Sequence, residues 1–325
     1  MRIVNLDSYA LNPGDLDWSP LEKLGNCTFY DRTPVDDDSE ILKQIGNAEI
    51  VLTNKTPLDQ FVLSKAPNLK YIGVTATGYN VVDTKAARKY NIPVTNIPVT
   101  NIPTYGTDAV AQFTFALLLE ITSHVGLHNQ LVHQGRWTTN PDFTFWAKPL
   151  MELQDKTLGL IGIGRIAQKV AEIGHAFSMK VIFYNHRPKE GVPNYVKQVT
   201  LSELYQKADI ISLHVPQTPE TTKMINQQAI AQMKDGVILL NTARGGLIND
   251  AAVANALNDG KIAAAGINVA TTEPIAANSP LLTAKNCYIT PHTAWAPRET
   301  RARLLKIAVA NLEAFLNGRE ENVVN

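Results

Sequence analysis

The sequence predicts an α/β protein built from two doubly wound parallel sheets, and three observations carry that prediction. The first is the stretch KTLGLIGIGRIAQKVAEIGHAFSMKVIFYNHRP, from Lys156 to Pro188. Thr157 to Ile163 is a short apolar, β-branched run of strand length. It runs into Gly162-Ile163-Gly164-Arg165-Ile166-Ala167, a GxGxx(G/A) turn. Ile166, Val170, Ile173 and Phe177 then recur at helical spacing, and Lys180 to Tyr184 reads as a second strand. This is the order in which a dinucleotide-binding unit is built. The second observation is an alternation of strands and helices with short connections on either side of that stretch, which implies parallel βαβ units. The third is length, because 325 residues exceed one typical domain.

Composition narrows the class of protein. A 45% hydrophobic and 18% charged content is that of a globular chain with a sizeable core. Thirty basic and thirty acidic residues cancel, so nothing favours nucleic acid or an anionic membrane as partner. The start, MRIVNLDSY, has no basic n-region or long apolar h-region and reads as a strand. No uninterrupted apolar run reaches the roughly 18–20 residues that span a bilayer. Cys27 and Cys287, the only cysteines, make neither a disulfide framework nor a metal cluster. A cytoplasmic location is expected.

In the first part, strands are expected at Met1 to Leu6, Thr28 to Tyr30, Glu49 to Asn54, Leu69 to Val74 and Pro93 to Ile97. Helices are expected near Leu21 to Leu24, Ser39 to Gly46, Phe61 to Ala66 and Asp83 to Tyr90. The run Asp36-Asp37-Asp38 fits a helix N-terminus, since three consecutive carboxylates diverge too far to hold a metal. Thr75-Ala76-Thr77-Gly78-Tyr79 follows a strand end without a GxGxxG. It is either an ordinary βα turn or a set of exposed N–H groups for a small carboxylate.

Asn96 to Thr107, rich in Pro, Thr and Asn, reads as a domain crossover. One long helix is expected from Ala109 to Val132, apolar nearly all round and therefore buried. His124, His128 and His133 lack a carboxylate to complete a metal set. The loop from Gly135 to Pro149 carries Trp137, Phe143, Phe145 and Trp146, which suits a cover over an active site or a subunit contact.

Beyond the glycine turn, helices are expected at Leu201 to Ala208, Asn226 to Met233, Asp250 to Asn258 and Pro297 to Asn317, the last capped by Gly318. The intervening strands are Ile210 to Val215, Val237 to Asn241, Ala263 to Val269 and Cys287 to Thr290. Arg244, Glu273 and His292 fall at or just after strand C-termini, the edge that faces a bound dinucleotide. Arg244 offers a planar fork for a carboxylate. His292 is a general acid/base of suitable intrinsic pKa. Glu273 can bond the imidazole, fix its tautomer and favour its protonated form. Each alone has an ordinary reading as a loop charge, a satisfied turn residue or a solvated carboxylate. Together beside a nucleotide turn they read as a site.

At these residues the chain resembles the D-isomer-specific 2-hydroxyacid dehydrogenases over essentially its whole length. The matching pieces are YGTDAVAQFTFALLLE, GLIGIGRIAQKVA, DIISLHVPQTPETTKMIN, MKDGVILLNTARGGLIND and TTEPIAANSPLLTAKNCYITPHTAWAPRE. GRWTTNPDFTFW and the C-terminal block look most like the glycerate dehydrogenase/hydroxypyruvate reductase branch.

The resemblance implies a substrate-binding lobe of residues 1–100 plus 293–325, with a Rossmann cofactor lobe, 101–292, inserted into it. It also implies an active site in the cleft and a homodimer paired through the cofactor lobe. The implied reaction is reversible NAD(P)H-dependent reduction of a small 2-oxo acid, hydroxypyruvate or glyoxylate, to a D-2-hydroxy acid. Arg244 would bind the substrate carboxylate and polarise its carbonyl. His292 would donate the proton, and Glu273 would keep His292 protonated. Thr77, Gly78 and Trp295 would also contact substrate. The cofactor would meet Thr107, Gly162, Gly164, Arg165, Ile166, Asn185, His186, Arg187, His214, Pro216, Thr221, Thr242, Ala243 and Asn268. No metal is implied. A D-lactate- or D-2-hydroxyisocaproate-type dehydrogenase, with Tyr79, Tyr105, Phe145 and Trp295 shaping the pocket, stands as the alternative. So does a dinucleotide-sensing binding protein, which the Arg244, Glu273 and His292 set argues against.

Two positions depart from the family pattern. An NAD-preferring fold places a carboxylate at the end of the second Rossmann strand. This chain has Asn185, His186 and Arg187 there, which favours NADP(H) over NAD(H). The other departure is Asn268 in GINVATTEP, where the family usually has Asp. Asn268 brings no negative charge, and a missing anion lowers the pKa of a nearby catalytic acid. The substitution Asn268→Asp is therefore expected to move the reductive pH profile upward. Profiles of kcat and kcat/KM for the two forms check this, and coincident curves would refute it.

Overall fold

The computed structural model describes residues 1–97 and 105–325. The chain divides into two compact units, Met1–Gly106 with Ala296–Asn325, and Thr107–Trp295. The boundary expected at residue 100, like most of the crossover between Asn96 and Thr107, lies outside the described residues.

The first unit runs β1 (Arg2–Asn5), α1 (Ser19–Glu22), β2 (Asn26–Phe29), α2 (Asp38–Ile45), β3 (Ile50–Thr53), α3 (Gln60–Ser64), β4 (Tyr71–Val74), α4 (Thr84–Lys89) and β5 (Val94–Thr95). Its strands pair in parallel in the order β2-β1-β3-β4-β5. Every residue of β3 and β4 is buried, as a parallel sheet covered on both faces requires. Asp37, Asp59 and Asp83 start α2, α3 and α4 by accepting from the N–H groups of Glu40, Val62 and Ala86. Each such cap contributes about 1 kcal/mol. The acidic run at residues 36–38 is thus a helix start.

In this strand order the crevice falls between β1 and β3. Asp7 closes it, its carboxylate accepting from the backbone N–H groups of Asn54, Lys55 and Thr56 at 2.7, 2.5 and 2.8 Å.

The second unit runs α5 (Thr107–Ser123), α6 (Val125–His133), β6 (Thr157–Ile161), α7 (Arg165–Ala176), β7 (Lys180–Tyr184), β8 (Val196–Gln198), α8 (Leu201–Lys207), β9 (Ile210–Leu213), α9 (Gln227–Gln232), β10 (Val237–Asn241), α10 (Asp250–Asn258), β11 (Ile262–Ile267) and β12 (Cys287–Ile289). Its sheet is parallel throughout, in the order β12-β11-β10-β9-β6-β7-β8. The chain then enters α11 (Arg298–Leu316) and rejoins the first unit. Arg301, on the buried side of α11, holds Asp15 through two bonds of 2.7 and 2.6 Å. Gly318 follows with φ +71°, the left-handed conformation expected of the residue that closes a helix.

The single helix expected over residues 109–132 is instead two helices bent by 55°, with His124 at the break in a left-handed conformation (φ +50°). Apolar periodicity continues across the break, so pattern alone cannot mark it. Packing separates the two parts. α5 sends Ala111, Phe115, Leu118 and Ile121 into the core beside Ala167 and Val170 of α7, whereas α6 buries no residue. Strand β8, with one apolar residue in three, carries no sequence signal and was not expected. Among the described residues no single helix is long and apolar enough to cross a membrane.

Candidate active site

The C-terminal edge of the seven-stranded sheet gathers the polar residues singled out in the sequence. Its order reverses between β6 and β9, and that is where an α/β sheet opens a crevice for a ligand. The glycine turn sits there. Gly162 has φ +94°, and a Cβ on it would lie 2.7 Å from the carbonyl oxygen of His214. Only glycine lets the turn close against the end of β9.

At Gly164 a Cβ would meet nothing within 4 Å, and no side chain caps α7. The first N–H groups of this 12-residue helix thus have no side-chain cap, and Arg165 beside them is exposed. Partly buried Ile166 follows, and Ala167 packs fully buried beneath. The arrangement fits the pyrophosphate of a dinucleotide.

Along the same edge, Arg244 follows β10, Glu273 lies in the loop after β11, and His292 follows β12. His292 Nδ1 and Glu273 Oε2 are 2.7 Å apart, with each side chain about one-third exposed. The other carboxylate oxygen, Oε1, accepts from the N–H of Ala270 at 3.1 Å. Glu273 is therefore aimed at the imidazole from an anchored position. Asn241 shapes the Arg244 turn, its Nδ2 donating to the Arg244 carbonyl and its Oδ1 accepting from Ala243. The Arg244 side chain is exposed, with Nη1 donating to the Ala243 carbonyl at 2.7 Å.

One feature of this site was missed in the sequence, and another was named there without its bonding. Gly245 has no room for a side chain, because a Cβ would lie 2.0 Å from the carbonyl carbon and oxygen of Ala270. This backbone approach joins the Arg244 turn to the Glu273 loop, and the glycine pair after Arg244 was its one visible sign. Asn268 is the other. It is buried, its Oδ1 accepts from Thr290, Thr293 and Ala294, and its Nδ2 has no partner among the described residues.

The remaining expected residues are placed as follows. Asn185 follows β7, its Nδ2 donating to the carbonyl of Arg187, and His186 and Arg187 are exposed. His214 Nε2 lies 2.9 Å from Ser212 Oγ, and burial pushes the imidazole down to about 4, so the ring is neutral at pH 7. Thr221 donates to the Pro216 carbonyl and closes that loop. Thr242 Oγ1 lies 3.1 Å from Thr114 Oγ1, next to Ala243. Thr107 begins α5 with a buried hydroxyl that has no partner among the described residues. Trp295 is partly buried at the end of the unit.

Thr77 and Gly78 belong to the other unit. The turn that carries them is pinned by Asn96, whose Nδ2 donates to the Thr77 carbonyl at 2.8 Å, and Gly78 is exposed. The histidines on the bent helix have local partners. His128 Nδ1 bonds the His124 carbonyl, His128 Nε2 accepts from the N–H of Ala147, and His124 Nδ1 lies 3.2 Å from Tyr288 Oη.

A parallel sheet ordered this way, with a phosphate turn at its crevice and an acid–base pair on one edge, defines a dinucleotide-dependent oxidoreductase fold. The family model "D-isomer specific 2-hydroxyacid dehydrogenase, NAD binding domain" matches residues 115–294, and the chain belongs to that family. A hydroxypyruvate reductase from Blautia hydrogenotrophica is 54% identical, with 100% of both chains covered. A glycerate dehydrogenase from Methylorubrum extorquens is 36% identical over 88% of each chain. The crystal structure of the TT0316 protein from Thermus thermophilus superimposes with a TM-score of 0.85 at 35% identity, covering 100% of both chains.

The approach of Gly245 to Ala270 yields a test. Gly245→Ala forces two backbones apart, which is expected to cost about 1–3 kcal/mol of stability. It also re-aims Arg244 and Glu273, with a loss of about 100-fold in kcat. Thermal melts and steady-state kinetics measure both, and a wild-type kcat would show that the close approach is dispensable.

Proposed function

We propose that this protein catalyses the reversible reduction of a small 2-oxo acid, hydroxypyruvate or glyoxylate, to the D-2-hydroxy acid. The observation that carries the reading is the 2.7 Å His292–Glu273 pair on the sheet edge that also holds the glycine turn. The 54% identity with a hydroxypyruvate reductase supports the choice of substrate.

When bound, the reduced nicotinamide dinucleotide supplies the hydride that C2 of the oxo acid accepts. The residues of the chain do the rest. Arg244 pairs its guanidinium with the substrate carboxylate and polarises the 2-oxo group. His292 has Nδ1 engaged by Glu273, so Nε2 holds the proton that passes to the carbonyl oxygen and takes it back in the oxidative direction. Glu273 fixes the tautomer and orients the ring. In this reading the backbone of Thr77 and Gly78 also serves the substrate carboxylate, and Trp295 lines the pocket.

Oxidation of NADH and NADPH with a panel of 2-oxo acids is the experiment. Turnover is expected with hydroxypyruvate and glyoxylate, and His292→Asn is expected to lower kcat by about 100-fold or more while cofactor still binds. A preference for bulky or aliphatic oxo acids would move the reading to a D-2-hydroxyisocaproate or D-lactate type. Cofactor binding without turnover of any of them would overturn it in favour of a dinucleotide sensor.

Three finer properties belong to the same proposal. The cofactor is NADP(H): the end of β7 presents Asn185, His186 and Arg187 with no carboxylate to repel a 2′-phosphate. The location is cytoplasmic, which suits two cysteines that are unpaired. The assembly is a homodimer, because α6 buries nothing and the loop after it exposes Trp137, Trp146 and Phe143, the last at 90%.

Arg187→Ala is expected to lower kcat/KM for NADPH about tenfold and to leave NADH nearly unaffected. A strong NADH preference in the wild type would sink the cofactor assignment. Sedimentation velocity tests the assembly, with a dimer expected and a monomer at micromolar concentration ruling it out.

A further inference from the structure

We propose that Asn268 is a positioning residue for His292, holding the turn that carries the acid in its working conformation. The inference rests on the reading of His292 as the proton donor. Asn268 is the first residue after β11, where its N–H donates to the Asn241 carbonyl at 2.9 Å and ties it to β10. From that fixed point it bonds the next strand's loop four times. Its own carbonyl accepts from the N–H of His292 at 2.8 Å. Its side-chain Oδ1 accepts from Thr290 Oγ1 at 3.1 Å, from the N–H of Thr293 at 2.9 Å and from the N–H of Ala294 at 3.3 Å.

His292 sits between these anchors with φ +53°, a left-handed conformation that a residue with a Cβ adopts only when its surroundings impose it. The N–H of His292 also bonds the carbonyl of Thr290, so residues 290–294 form one tight turn with His292 in its middle. Asn268 grips that turn on both sides of the histidine.

The orientation of the amide is fixed by its neighbours. With Oδ1 facing three donors, a flipped amide would set its own N–H groups against theirs. Nδ2 is left without a partner among the described residues, and Asn268 is 1% exposed. The oxygen is therefore the functional atom. Without it, the N–H groups of Thr293 and of buried Ala294 lose their acceptor. The turn then relaxes from the left-handed conformation, and the imidazole leaves the Glu273 carboxylate.

Three substitutions test the assignment: Asn268→Leu, of similar size but without the oxygen; Asn268→Asp, which keeps it; and Thr290→Val, which removes one donor. Asn268→Leu is expected to lower kcat about 10- to 100-fold with little change in KM for the oxo acid, because the carboxylate clamp at Arg244 is untouched. Asn268→Asp should recover most of that loss when compared at a pH below both profile midpoints. Thr290→Val should lower kcat a few-fold, and it carries the test if Asn268→Leu fails to fold.

The second readout needs no turnover. Imidazole 15N signals of His292, assigned by their loss in His292→Asn, should shift or broaden in Asn268→Leu and stay hydrogen-bonded in Asn268→Asp. Wild-type kcat in both Asn268→Leu and Thr290→Val, a change confined to KM, or no rescue by Asp would each overturn the proposal. If the wild type turns over no oxo acid but the signals respond as stated, the proposed reaction fails and the positioning role stands.

Discussion

The site depends on one steric constraint, the passage of the Gly245 backbone against Ala270 and Thr271. Strands β10 and β11 pair in parallel, so their ends are set by the ladder, but a ladder does not decide where the following loops go. The absence of a side chain at Gly245 lets the loop after β10 close on the loop after β11. Arg244 precedes the contact and Glu273 follows it by a few residues. The contact thus fixes a cationic fork and an anchored carboxylate relative to one another through backbone alone. The N–H of Ala270, itself part of the contact, anchors one oxygen of Glu273 while the other meets His292. A site built on backbone approaches is stiffer than one built on rotamers, and this suits a reaction in which a proton donor must meet a fixed oxygen.

The two sheets show why one unit of this chain offers a dinucleotide site and the other does not. Both are doubly wound, and each has a crevice where its strand order reverses. In the first unit Asp7 places a carboxylate on three successive backbone N–H groups, so the chain supplies its own anion. In the second, the turn after β6 has Gly164 with open space where a Cβ would point and a helix with no side-chain cap. The same backbone chemistry is saturated in one case and available in the other.

Most of the architecture could be read from the sequence, because buried parallel strands are runs of apolar residues and their helices have marked beginnings. Asp37, Asp59 and Asp83 each start a helix where the pattern says one should. Arg244, Glu273 and His292 were visible because they follow strands, and ligands gather at that edge. What escaped was of another kind. The break at His124 is a change in one backbone angle within an unbroken apolar pattern, and only packing, dense on α5 and absent on α6, reveals it. Gly245 drew no reading, since a sequence does not show what its missing Cβ would strike. Asn268 stood out as a departure from the family's usual Asp, but its grip on Thr290, Thr293 and Ala294 is a tertiary fact.

That grip separates two properties that a carboxylate at this position would combine. An aspartate would offer the same oxygen to the same three donors, and it would add a negative charge within the turn that carries His292. Asparagine keeps the oxygen and discards the charge. The substitution is not free, because Nδ2 is a buried donor without an acceptor among the described residues where a second carboxylate oxygen would be an acceptor in the same place. Either residue leaves one atom unmatched, so hydrogen bonding alone does not choose between them. What differs between the two residues is the charge. With asparagine at 268, the carboxylate bonded to the imidazole is that of Glu273. Asn268 thus holds the turn while Glu273 bonds the ring at Nδ1, two contacts made by different residues.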